Sequence, residues 1–101
     1  MDKAPTMSRD FFALFKAVSS RNASAMARIG EGLLKNYPAL DQGGQVYILS
    51  ITMLGFLANN EPKAALELWN QYRERIFGNV LPGGTLQAIF AVALDRYKNN
   101  S

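Results

Sequence analysis

A run of about 13 residues in the middle of the chain, VYILSITMLGFLA at 46–58, constrains the fold more than any other stretch. It is too short to cross a membrane, which takes about 20 residues. It is also too long for a buried strand of about 4–8 residues. Val46, Ile48, Ile51 and Thr52 are β-branched and favour a strand locally. Against that, the run does not alternate, and no other segment offers a strand for it to pair with. A helix apolar on nearly every side is the consistent reading, and such a helix belongs at the centre of a bundle or stack.

The flanking segments supply helices to surround it. Ser8 is placed to cap a first helix over about 9–20, with Phe11, Leu14, Phe15 and Val18 as its stripe. Met7 and Phe12 then occupy the two positions of a hydrophobic staple. The segment SSRN at 19–22 turns the chain, and Asn22 caps a second helix. Met26, Ile29, Leu33 and Tyr37 form its apolar face, while Ala23, Ala27 and Gly30 form a stripe of small residues. Gly30 and Gly32 each cost about 1 kcal/mol in a helix, so the small stripe suggests a close helix neighbour. Pro38 ends this helix.

A loop is expected at 39–44 and a helix at 45–58, closed by the tight turn NNEP at 59–62. Pro62 suits the first position of the next helix, because the N–H it lacks has no partner there. Ala65, Leu68, Trp69, Tyr72 and Ile76 make that helix's face, and Gly78 is its stop. After a second long loop, NVLPGG at 79–84, Thr85 caps a fifth helix over 85–98. Leu86, Ile89, Phe90, Ala93 and Tyr97 form its stripe, and residues 99–101 are expected to fray. The turns alternate short, long, short, long.

That rhythm, with the residues NEPKAALELW, resembles the tetratricopeptide repeat. Ala65 falls on the small position of the family's second helix and Trp69 on its aromatic position. Phe56 falls on the tyrosine and Leu49 on the tryptophan of its first helix. Met53 stands where glycine is usual, and Phe77 where the closing proline falls. In the first hairpin, Phe11 and Leu14 take the tryptophan and leucine positions and Ala27 the small one. The resemblance implies an all-α fold of five helices in tandem antiparallel hairpins, a short tetratricopeptide-like α-solenoid. Its parts are a hairpin over 8–38, a hairpin over 45–78 and a capping helix over 85–98 of one domain.

Catalysis finds no footing. There is no histidine and no cysteine among the 101 residues, which removes the commonest general base, the thiolate nucleophile and the commonest metal ligands. The eight carboxylates are spread along the chain, and the glycine pairs at 43–44 and 83–84 match no phosphate-binding fingerprint. No catalytic, cofactor-binding or metal-ligating residue is assigned. Hydrophobic residues make up 49% and charged residues 19%, which excludes an intrinsically disordered chain. The net charge of +3 comes from scattered lysines and arginines, with no stripe of the kind nucleic-acid binders carry. Arg73 and Arg75 are expected to be solvated. The polar N-terminal decapeptide has no apolar core of a signal peptide, so a cytoplasmic protein is expected.

Binding remains. In tetratricopeptide stacks the first helices of the hairpins line a concave groove that holds a peptide. The resemblance therefore implies partner contact at Tyr47, Ser50, Leu54 and Leu57, and near-equivalently at Phe11, Phe15 and Val18. The competing reading makes the same residues core. The expected function is an adaptor or small chaperone that holds a helical or extended segment of a partner protein, with homo-oligomerisation as a further option. Neither nucleic acid nor membrane is expected as partner. One alternative is an RNA-binding helical repeat, since GFLANNEPKAALELW also resembles pentatricopeptide repeats. Their base-reading position falls on Ile51, which offers no hydrogen bond. Another alternative is a structural or oligomerisation domain of a larger protein.

Overall fold

The computed structural model describes the backbone of residues 3–37, 39–78 and 84–100, and side chains from residue 9 to residue 99 within those segments. The fold is all-α. Its five helices are α1 (Lys3–Ser19), α2 (Ala23–Asn36), α3 (Gln42–Ala58), α4 (Pro62–Phe77) and α5 (Gly84–Asn100). Each packs on its neighbour in sequence, and α5 also reaches α3. The radius of gyration is 13.4 Å and the extents are 46 × 33 × 19 Å. A thickness of 19 Å is about two helix diameters, so the molecule is a slab of two layers. Among the odd helices, α5 packs on α3 and α1 meets α3 through Phe15 and Tyr47, which puts α1, α3 and α5 in one layer and α2 and α4 in the other. No helix of the described residues is long and apolar enough to cross a membrane.

The central run is a helix, and the reason is visible in its burial. Ile48, Leu49, Thr52 and Met53 are wholly buried, Ile51 and Leu57 nearly so. A strand could bury consecutive side chains only with a sheet covered by further layers on both faces, and no strand occurs among the described residues. The buried Thr52 hydroxyl donates to the Ile48 carbonyl at 2.7 Å, so its burial leaves it paired.

The seam between α2 and α3 explains the small-residue stripe. A Cβ added to Gly30 would run into the Thr52 side chain, and one added to Gly55 would sit 2.8 Å from the Ala27 nitrogen and 2.9 Å from the Ala23 oxygen. Two glycines, one per helix, thus let the backbones approach. Nothing lies within 4 Å of a Cβ at Gly32, so that glycine serves no packing role.

Helix ends follow local chemistry. The Asn22 side chain accepts from the Ala25 N–H at 3.1 Å, and Pro62 begins α4. Asn60 (φ 61°) turns the α3–α4 connection and Gly78 (φ 61°) stops α4, both in the left-handed region those residues tolerate.

Four boundaries differ from the sequence expectation. Ser8 does not cap α1, which already runs from Lys3, so Ser8 lies within the helix. The loop expected at 39–44 is shorter, because Asp41 accepts from the Gly44 N–H at 2.8 Å and starts α3 at Gln42. Thr85 does not cap α5, which begins at Gly84. The helix also continues to Asn100 instead of fraying from 99, with Asn99 donating to the Asp95 carboxylate at 3.3 Å. The Met7 staple position, Pro38 and residues 79–83 of the second long loop lie outside the described residues or side chains.

Arg75 is not simply solvated. Its guanidinium donates to the Leu34 carbonyl at 3.0 Å and twice to the Gln45 side-chain oxygen, at 2.9 and 3.1 Å. It also lies 4.6 Å over the Tyr72 ring. Gln45 in turn donates to the Leu40 carbonyl at 2.6 Å. One cation thereby ties the end of α2, the start of α3 and the last turns of α4. At the far side of α2, the Tyr37 hydroxyl donates to Asp10 at 3.3 Å. Burial and the Asp10 charge hold its pKa above the ordinary tyrosine value.

Candidate binding face

The odd-helix layer exposes large apolar side chains. On α1, Leu14 and Ala17 turn inward, which leaves Phe12 (70% exposed), Phe15 and Val18 outside. The expected stripe of Phe11, Leu14, Phe15 and Val18 is thus rotated: Ala17, not Val18, faces the core. Phe11 is half-buried and packs against the core cluster. On α3, Tyr47 and Leu54 are exposed at 45% and 43%, seven residues apart and so on one face. Ser50 sits between them, half-buried, its hydroxyl donating to the Val46 carbonyl at 2.8 Å. Leu57, one turn beyond Leu54, is buried at 5%.

The structure joins these groups across helices. Phe15 of α1 and Tyr47 of α3 meet with ring centroids 6.2 Å apart and planes inclined at 54°. At the other end of α3, Leu54, Leu57 and Ala58 face Thr85, Ala88, Ile89, Val92 and Arg96 of α5 across a cleft of about 300 Å³. Arg96 donates from Nη1 to the Leu57 carbonyl at 3.1 Å, which places the C-terminal ends of α3 and α5 together. The face is a band running Phe15, Tyr47, Leu54, Val92.

Sequence reasoning missed the α5 contribution. Of its expected stripe, Leu86, Ile89, Phe90 and Ala93 are spent on the core, where Phe90 stacks on Trp69 at 4.6 Å, whereas Tyr97 is 38% exposed. The second stripe, Thr85, Ala88, Val92 and Arg96, also repeats at helical spacing and was the available signal.

Electrostatically the band is nearly blank. No charged residue occurs in α3 from Gln42 to Ala58. Arg96 is the single charged residue lining the cleft. A larger depression of about 710 Å³ lies between Tyr97 and the turn and first residues of α4, but Glu61, Lys63 and Glu67 line it, which suits solvent better than an apolar ligand. Among the described residues no group of three acidic side chains is placed to hold a metal ion. What the band can do chemically is desolvate apolar side chains brought to it. No family model, curated protein or solved structure matches this chain.

Proposed function

We propose that this chain is a non-enzymatic protein-binding module, an adaptor or small chaperone of cytoplasmic setting that holds an amphipathic segment of a partner on its odd-helix face. The observation that carries the reading is the band itself: Phe15, Val18, Tyr47, Leu54 and Val92, each at least 38% exposed, on adjacent helices. Contiguous exposed apolar surface of this kind marks interaction sites in soluble domains. A tetratricopeptide-like stack would present its first helices in this way, and an amphipathic helix laid in an apolar groove is an established mode of recognition. The RNA-binding alternative gains little, since Arg75 is engaged by Leu34 and Gln45 of the fold and Arg96 is the single charged residue lining the cleft, with no basic stripe beside it.

The test is affinity capture from the native lysate with the wild-type chain and with Leu54→Asp, each with and without ribonuclease. Leu54 is 43% exposed, so the variant should fold. The expected result is a stoichiometric protein retained by the wild type, lost from Leu54→Asp and indifferent to ribonuclease. Retention unchanged by Leu54→Asp would overturn the reading, and retention abolished by ribonuclease would replace it with RNA binding.

A further inference from the structure

We infer that the α3–α5 cleft is the anchor point of this face. It takes one branched aliphatic side chain from a partner helix that carries a carboxylate one turn away. The inference rests on the protein-binding reading above and adds the chemistry of the bound segment.

The cleft is built for a side chain rather than a flat contact. Leu57 (5% exposed) and Ile89 (6%) form a fixed floor, and Leu54 and Val92, both at 43%, are the walls. Ala58, Thr85 and Ala88 are small, which is why the space between the helices is open. Its volume of about 300 Å³ is at the bottom of the ligand-pocket range of about 300–1,000 Å³, with room for one branched aliphatic side chain. The lining from Thr85 to Arg96 runs about 16 Å along α5, or three turns of a partner helix.

Charge selects the neighbour of that anchor. Arg96 closes the cleft with no carboxylate among the lining residues. One of its N–H groups is held by the Leu57 carbonyl, which fixes the guanidinium in place. A guanidinium has five donors, so a bidentate edge remains for an incoming carboxylate. The occupant is a different protein rather than a second copy. Among the described residues, Val92 is the only exposed large apolar side chain with a carboxylate one turn away, Asp95, and Val92 is itself a wall of the cleft.

The test uses fluorescein-labelled stapled helical peptides of about 16 residues, roughly four turns. Each carries an apolar stripe with a central leucine, and Glu, Gln or Lys four residues beyond it. Binding to the full chain is read by fluorescence anisotropy. The Glu peptide should bind about tenfold tighter than the Lys peptide, with Gln between. Arg96→Glu should reverse that order, Arg96→Lys should keep it, and Val92→Glu should weaken all three peptides about tenfold or more. Melting curves matched to wild type establish that the variants fold. Suppose instead the peptides bind, Tyr47→Asp weakens them, and neither Arg96→Glu nor Val92→Glu matters. The anchor is then overturned while the protein-binding reading stands. If no peptide binds the wild type, both fall. A dimer in sedimentation equilibrium that Val92→Glu dissociates would overturn the inference by making a second copy the occupant.

Discussion

At the residue scale, the glycines divide by what surrounds them. Gly55 meets backbone atoms of α2, which have no flexible end to move aside. Gly55→Ala should force α2 and α3 apart and cost about 1–3 kcal/mol, read as a lower urea midpoint. Gly32 has open space on its Cβ side and sits within α2. Gly32→Ala should stabilise by about 1 kcal/mol, because it removes chain entropy from the unfolded state and exposes nothing new. Opposite signs from one chemical change would locate the seam in solution. Equal effects would show that the two helices are not in backbone contact.

At the element scale, Arg75 joins three helix ends through hydrogen bonds that sequence periodicity does not encode. Arg75→Ala should cost about 1–2 kcal/mol, and Arg75→Lys should recover little of it, since an ammonium cannot span Gln45 and Leu34 as a planar fork does. Thermal denaturation of the two variants checks this, and full recovery by lysine would reduce the clamp to simple charge. The same distinction explains what the sequence made legible. Helix number, the faces of α4 and the close approach of α2 rest on spacing and on residue size, which are written along the chain. Asn22 and Pro62 announce their helices because each acts on its own turn. Asp41 was equally able to cap, but the two glycines that follow it read as loop. The α5 half of the exposed apolar face was hidden for a related reason. A helix with two apolar stripes does not say which is spent on the core, and only the position of Trp69 and α3 decides it.

At the scale of the whole molecule, side chains from all five helices share one core, from Leu14 of α1 and Leu34 of α2 to Met53, Trp69 and Ala93. Unfolding in urea should therefore be a single transition, with Trp69 fluorescence and far-UV ellipticity superimposing. Separate midpoints would show that the hairpins melt one by one as in a long repeat array. The α3–α5 contact also has a place in time. Chains emerge from the ribosome N-terminus first. Most helix neighbours here are adjacent in sequence, so each hairpin can close as soon as its second helix is out. The central helix is the exception. It carries no charge over seventeen residues, and α5, its last cover, follows the other four helices in synthesis. Until then a nascent chain leaves bare the uncharged side of α3 that α5 will cover, so the core closes only after α5 has left the ribosome.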